Sequence, residues 1–112
     1  MAMQSEPVVE VTETEFNEIV NNGHSLVVVD FFAEWCMPCL MMAPIIDELA
    51  QKMEDVKFVK INVDDNEEIA GKYEVRSIPT MIFFKGGKEV DKVVGGIDQE
   101  ALEEKIQGLL KD

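Results

Sequence analysis

The chain has 112 residues, which is enough for one compact domain and too few for two. Its formal net charge is −13, from 10 basic and 23 acidic side chains, and this negative field disfavours binding to nucleic-acid phosphates and to anionic membrane surfaces. The sequence has no run of about 18 apolar residues, so we expect no membrane span. Residues 1–10 lack the basic and apolar segments of a secretory signal, and we therefore expect a cytoplasmic protein.

The first residues predict a tail followed by a strand and a helix. Residues 1–7 have no periodic pattern and predict a flexible tail, which leaves 8–112 as a single domain. Residues 8–11 predict a short strand. Thr12 follows it, with Glu15 three residues later, and this spacing predicts a capping box at the start of a helix.

A buried strand and a long helix are predicted next. Gly23 marks the end of the first helix. Residues 26–33 are almost continuously apolar and rich in β-formers, which predicts a central strand covered on both faces. A helix over 36–53 follows, and Pro44 is expected to kink it because it removes one backbone donor. We expect three methionines in the core-facing side of this helix, namely Met41, Met42 and Met53.

The second half of the chain predicts a strand over 57–63, a short helix over 67–73 and a strand over 80–85. Gly86-Gly87 then predicts a tight hairpin turn into an antiparallel strand over 89–94.

A final amphipathic helix begins after Asp98, whose side chain is a suitable N-cap. Its predicted buried face consists of Ala101, Leu102, Ile106, Leu109 and Leu110. The resulting order, β-α-β-α-β-α-β-β-α, predicts an α/β fold with helices on both faces of a mixed sheet.

Cys36 and Cys39 lie where an apolar strand gives way to a helix. A disulfide that closes so short a loop restricts the unfolded chain little, so the pair suits chemistry better than stabilisation. Residues three apart on a helix have Cβ atoms about 5–6 Å apart, whereas a disulfide needs about 3.5–4.5 Å. A slight tightening of the first turn closes the bond, so one backbone serves both redox states. Pro38 fits this turn because donors there have no intrahelical partner.

The positions of the two cysteines predict different roles. Cys36, at the helix start, faces unpaired N–H groups and the positive end of the helix dipole, which favour a thiolate. We expect Cys36 to be the exposed nucleophile that forms a mixed disulfide with a substrate. Cys39, one turn inside, is then the resolving thiol that releases the product.

A Cys-x-x-Cys pair is also half of a zinc or iron–sulfur site. A closed zinc site needs four ligands, and the chain offers no second cysteine pair and a single histidine, His24. Metal binding would therefore require two chains sharing one ion. We expect a redox pair, with no metal ligands and no cofactor.

Five segments resemble the thioredoxin family, in the family's order and at its spacing. They are residues 29–39 (VDFFAEWCMPC), 43–49 (APIIDEL), 59–64 (VKINVD), 75–80 (VRSIPT) and 94–95 (VG). The resemblance runs from about residue 8 to the C-terminus. It implies the thioredoxin fold, with a central mixed sheet of about five strands flanked by four helices.

The resemblance suggests roles for two charged residues. Asp30, in the middle of the apolar strand, would by itself be explained as a structural carboxyl bonded to backbone. Its match to the family's buried acid implies the proton acceptor for Cys39, with a pKa raised by burial. Lys60 is similar to the family's lysine beside that acid, although a lysine extending from a strand edge remains the alternative.

The resemblance also implies a docking surface around Cys36. Ile78-Pro79 is similar to the family's cis-proline loop, although X–Pro bonds in general favour trans. Such a loop would offer the Ile78 backbone to an extended substrate strand. Trp35, Ile78, Pro79 and Gly95 would then form an apolar, partly exposed rim around the cysteines.

Two residues depart from the family's usual motif. Met37 stands where glycine is usual, and Leu40 stands where lysine is frequent. Met37 adds an apolar side chain beside the nucleophile, and Leu40 withholds a positive charge. We hypothesise a shifted reduction potential and an altered choice of partner.

The resemblance implies a protein-disulfide reductase that takes electrons from a thioredoxin reductase and passes them to disulfide-containing proteins. We expect it to act as a monomer. A glutaredoxin-like or isomerase-like protein is one alternative, although Pro38 directly before the second cysteine is thioredoxin-like. A non-catalytic binding module on the same scaffold is another, but binding alone would need neither cysteine and no Asp30.

Overall fold

A computed structural model describes residues 8–111, so the predicted tail, residues 1–7, lies outside the described residues. The elements in chain order are β1 (Val9–Glu10), α1 (Glu13–Val20), β2 (Val27–Phe32), α2 (Met37–Lys52), β3 (Lys57–Asn62), α3 (Glu67–Lys72), β4 (Thr80–Lys85), β5 (Lys88–Val94) and α4 (Gln99–Lys111). The predicted order of strands and helices is confirmed.

The strands form one mixed sheet in the order β1-β3-β2-β4-β5. β1 and β2 both pair parallel with β3, whereas β4 pairs antiparallel with β2 and with β5. β2 lies in the centre and all but its last residue are buried, as its continuous apolar run predicts.

The side chains of β2 alternate between two cores, one on each face of the sheet. Val28 packs in a cluster to which α2 and α4 contribute. Val29 and Phe31 pack in a second cluster, with residues of α1 and α3. Because successive strand residues point to opposite faces, Asp30 shares the face of Val28 and points toward α2.

α1 begins with the predicted capping box. The Thr12 backbone N–H donates to Glu15 Oε1 at 2.8 Å, and the Glu15 N–H donates to Thr12 Oγ1 at 3.4 Å. The helix ends at Val20 with Asn21 as its C-cap, so the prediction that Gly23 ends it places the boundary too late. At the C-cap, the side-chain amide of Asn21 donates to the carbonyl of Asn17 at 2.8 Å and so satisfies one of the last helical acceptors.

α2 is continuous through Pro44 and buries one side of its surface. Met42 and Met53 are buried as predicted, but Met41 is 73% exposed, and its assignment to the core is wrong. Adjacent helical residues lie about 100° apart around the axis, so Met41 and Met42 cannot both face the sheet.

The C-terminal half also follows the predicted pattern. Gly86 and Gly87 have positive φ angles of 60° and 81°, which the hairpin turn between β4 and β5 requires. Asp98 Oδ1 accepts a hydrogen bond from the Ala101 N–H at 2.8 Å, which confirms it as a cap of α4. Leu102 and Ile106 form the buried side of α4. None of the helices in residues 8–111 combines the length and apolar character needed to cross a bilayer.

Candidate active site

Cys36 and Cys39 form a disulfide at the start of α2, with 5.2 Å between their Cα atoms. Cys36 is the N-cap, and its sulfur also accepts a hydrogen bond from the Cys39 backbone N–H at 3.1 Å. Pro38 follows as the second helical residue, where its lack of an N–H removes no helical bond. The redox pair therefore lies at the helix N-terminus, as the motif predicts.

Both cysteines are buried, with only 3% of Cys36 and 5% of Cys39 exposed. The expectation that Cys36 is exposed is therefore wrong for the disulfide form. The two residues pack with Ala33, and Ile78 also lies against them. What distinguishes the two sulfurs here is their position on the helix, at the N-cap and in the first turn.

Asp30 reaches this region from β2, and only 6% of its surface is exposed. Its Oδ1 atom has no hydrogen-bond partner among the described residues. Burial raises the pKa of Asp30 from 3.8 to about 7, although the positive charge of Lys60 acts in the opposite direction. Asp30 can therefore gain or lose a proton near neutral pH.

A cavity of about 140 Å³ joins Asp30 to the second cysteine. Its lining residues are Asp30, Phe32, Ala33, Glu34, Cys39, Leu40, Ala43 and Lys60. This volume is large enough to admit water between the carboxyl and the thiol. The arrangement suits proton transfer between Asp30 and Cys39, either directly or through water.

Lys60 lies on β3 directly opposite Asp30 on β2. Its Nζ atom is 5.5 Å from the centre of the Phe32 ring, and the residue lines the same cavity. β3 is an interior strand, between β1 and β2, so Lys60 does not extend from an edge strand, and its role at the site stays a prediction.

The Ile78–Pro79 peptide bond is cis, as the resemblance implies. Ile78 packs against the cysteine pair, while Pro79 is itself buried. The Pro79 carbonyl accepts a hydrogen bond from the Gly95 N–H at 2.8 Å, and Gly95 adopts a φ of 90° that favours glycine. This bond ties the loop that faces the disulfide to the end of β5.

Of the predicted rim, Trp35 is 70% exposed, whereas Pro79 is buried, so its expected place in an exposed rim is wrong. Met37, which was not part of the predicted rim, adds an apolar side chain that is 68% exposed. Trp35 Nε1 donates a hydrogen bond to Asp64 Oδ2 at 2.8 Å, and this contact holds the indole beside the disulfide. Asp64 was not predicted to contribute to the site. A signal for it existed, because β2 and β3 are parallel and the residues that follow them meet at one edge of the sheet.

Comparisons with known proteins agree on one family. The sequence model described as Thioredoxin matches residues 7–108. Thioredoxin 1 of Nostoc sp. is 44% identical over 99 residues, which cover 88% of this chain and 92% of that protein. Thioredoxin-2 of Saccharomyces cerevisiae is 51% identical over 82 residues, covering 73% of this chain and 79% of the relative.

This chain belongs to the thioredoxin family.

A solved structure shows the same relationship in three dimensions. A mutant thioredoxin from Halobacterium salinarum NRC-1 superposes with a TM-score of 0.87 at 34% identity, covering 97% of this chain and 96% of the other. The thioredoxin fold predicted from the sequence is confirmed. Together with the neighbouring cysteine pair, this family membership identifies a thiol–disulfide oxidoreductase with protein-disulfide reductase activity. Its partners are, in general terms, reductases and disulfide-containing proteins.

The two departures from the usual thioredoxin motif occupy different surroundings. Met37 is exposed and directly follows Cys36. Leu40 is 55% exposed and lines the Asp30 cavity. Among residues 8–111, no group of three or more histidine, cysteine or acidic side chains is arranged to hold a metal ion.

Proposed function

We propose that this thioredoxin-family protein reduces protein disulfides through two exchanges, the first at Cys36 and the second at Cys39. The Cys36–Cys39 disulfide at the N-terminus of α2, beside the Asp30 cavity, is the observation that carries the proposal. The first turn of a helix favours a thiolate at its N-cap, so Cys36 is the attacking sulfur.

In the first exchange, the Cys36 thiolate attacks one sulfur of a substrate disulfide. A mixed disulfide forms at Cys36, and the other substrate sulfur leaves as a thiolate. In the second exchange, Asp30 accepts the proton of Cys39, and the Cys39 thiolate attacks the Cys36 sulfur. The Cys36–Cys39 bond forms, the second substrate sulfur leaves, and the substrate has gained two electrons.

The surrounding residues have supporting roles in this proposal. Ile78 and Pro79 belong to the docking loop, and the hydrogen bond between Pro79 and Gly95 at the end of β5 supports a fixed position beside the disulfide. Trp35 and Met37 provide exposed apolar surface for the substrate.

In this proposal, the positive charge of Lys60 lowers the pKa of Asp30 and so partly offsets the rise caused by burial. Its position directly across from Asp30 on β3, and its place in the same cavity, support that role.

We also propose a cytoplasmic monomer that receives its electrons from a thioredoxin reductase, with a domain comprising residues 8–112. A single chain supplies both cysteines, Asp30 and the cis-proline loop, so the site needs no second copy. A dithiol carrier is suited to a compartment that keeps thiols reduced.

A trapping experiment tests the order of the two exchanges. Cys39→Ser should accumulate a covalent complex with a disulfide substrate, because the resolving thiol is absent. Cys36→Ser, the matched control, should form no such complex and should lose insulin-disulfide reduction. A stable complex through Cys39 in the Cys36→Ser variant would reverse the two roles.

Coupling assays separate the alternatives. Insulin reduction driven by NADPH and a thioredoxin reductase supports the proposed donor, whereas reduction by glutathione alone supports a glutaredoxin-like protein. Full biological function in Cys36→Ser would instead support a binding module.

A further inference from the structure

Leu40 forms part of the wall between the Asp30 cavity and solvent. It directly follows Cys39 in α2, is 55% exposed, and lines the cavity together with Asp30 and Cys39. Ala43, three residues further along, lines the same cavity, as expected for residues on one side of a helix. The α2 wall of the cavity is therefore apolar except for the Cys39 sulfur.

Few charged groups face Asp30. Lys60 comes from β3, and Glu34 comes from the segment that precedes α2. On the other side, β4 places the apolar Met81 directly across from Asp30. Among the residues the structure describes, Lys60 is thus the one cation that lines the cavity. Because one oxygen of the Asp30 carboxyl has no hydrogen-bond partner among the described residues, a charge added to the cavity wall would act on it in addition to Lys60.

We propose that Leu40 acts on the reaction through Asp30: by keeping the cavity wall apolar and uncharged, it sets the pH range in which Asp30 accepts the proton of Cys39. The inference rests on the proposed function of Asp30. It also differs from a direct effect on the Cys36 thiolate, because Cys36 does not line this cavity.

Chemically, the resolving step needs the Asp30 carboxylate and the Cys39 thiol together. An apolar wall disfavours the carboxylate, so resolution with Leu40 in place becomes fast only as the pH approaches neutrality. A lysine at this position would stabilise the carboxylate and allow the same proton transfer at lower pH. Leu40 therefore slows the resolution of the mixed disulfide, and hence the reduction of the substrate, at acidic pH.

Two variants with the same added charge test the inference. Leu40→Lys places a cation on the cavity wall, whereas Met41→Lys places it on the neighbouring residue, which is 73% exposed and lies outside the cavity lining. Asp30 is titrated in the oxidised proteins by ¹³C NMR of its carboxyl carbon. We expect Leu40→Lys to lower the midpoint by roughly half to one pH unit, the effect of a cation several ångströms away in a partly solvated cavity.

Met41→Lys should shift the midpoint much less, and Leu40→Met should keep the wild-type midpoint. Equal shifts in the two lysine variants would show a general effect of net charge and would overturn the inference. An unmoved midpoint in Leu40→Lys would overturn it as well.

A kinetic measurement connects the titration to the reaction. The mixed disulfide at Cys36 is formed with a chromogenic aromatic disulfide, and its resolution is followed by stopped flow across the pH range. The pH profile of Leu40→Lys should shift in parallel with the carboxyl titration. The wild type compared with Asp30→Asn tests the role of Asp30 separately, because loss of the pH dependence in Asp30→Asn is expected only if Asp30 accepts the proton. A shifted titration with an unshifted kinetic profile would overturn the link to Cys39.

Discussion

Asp30 is a carboxyl group in a strand whose neighbouring residues, Val29 and Phe31, are fully buried. Its pKa is raised to about 7, chiefly by burial. The native state therefore binds a proton between pH 3.8 and about 7 that the unfolded state has already released. The sign follows from this: the contribution of Asp30 to stability is fully present below pH 3.8, decreases as the pH rises from 3.8, and is lost above about 7.

We predict that Asp30→Asn removes this dependence. Relative to the variant, the oxidised wild type should lose up to roughly 4 kcal/mol of unfolding free energy between acid and mildly alkaline pH, at about 1.4 kcal/mol per pKa unit. Urea denaturation across the pH range measures it. Equal pH slopes in the two proteins would contradict a raised pKa.

Asp91→Asn should change the pH dependence of stability in the opposite sense to Asp30→Asn. A hydrogen bond from Lys105 is the main reason that the pKa of Asp91 lies below 3.8. Its contribution to stability is therefore present above pH 3.8 and lost as the pH falls below it, in the sense opposite to Asp30.

The methionines within residues 8–111 differ sharply in exposure. Met37 and Met41 are 68% and 73% exposed, whereas Met42, Met53 and Met81 are all buried. We predict that hydrogen peroxide converts the exposed pair to sulfoxides several-fold faster than the buried three, because access governs the reaction. Peptide mapping by mass spectrometry measures this in the oxidised protein, whose cysteines are already paired. Similar rates at all five positions would contradict the exposures described above.

Single residues were predictable where the chemistry is local. The spacing of Cys36 and Cys39 was enough to predict their bond and their place at a helix start. The burial of Cys36 was not predictable, because it depends on Ile78, which is distant in sequence. The Trp35–Asp64 hydrogen bond spans 29 positions and was missed for the same reason.

At the level of elements, α1 is an eight-residue helix and depends on its cap. A helix this short is marginal in isolation. We predict that Thr12→Ala lowers the unfolding free energy by about 1 kcal/mol, the usual cost of removing an N-cap. Thr14→Ala, in the first turn of the same helix, should cause no loss, because alanine has the higher helix propensity. Urea denaturation of the two variants measures the difference, and equal losses would argue against the capping box.

The predicted elements were correct because each has a clear pattern of its own. The continuous apolar run of β2 indicated the central strand, and the glycine pair indicated the hairpin of β4 and β5. The ends of the helices and strands were less predictable than their existence. Gly23 is a plausible helix terminator, but the side chain of Asn21 satisfies a late carbonyl first. The cis bond at Pro79 came from resemblance alone, because no local preference favours it.

At the scale of the whole molecule, the chain has a net charge of −13, and its described part has a radius of gyration of 13.1 Å. At about 0.01 M salt the Debye length is ~30 Å, so most of the negative charges repel one another across the molecule. At about 0.1 M it is ~10 Å, and only neighbours interact. We predict that the melting temperature rises between these salt concentrations at neutral pH.

Calorimetry at two pH values distinguishes this effect from a specific ion effect. Near the isoelectric point of about 4.3 the net charge vanishes, and the same addition of salt should change the melting temperature little. A salt effect of equal size at both pH values would contradict a repulsion mechanism.

The burial of the Cys36–Cys39 pair affects which thiols can exchange with this disulfide. Cys36 is the N-cap of α2, the position proposed above to favour its thiolate, whereas Ala33 and Ile78 pack against the pair and both cysteines are buried. We expect small free thiols to exchange slowly with this disulfide, whereas a folded partner that fits the rim brings its own thiol to the bond. Electron exchange is then selective for proteins that dock at the rim.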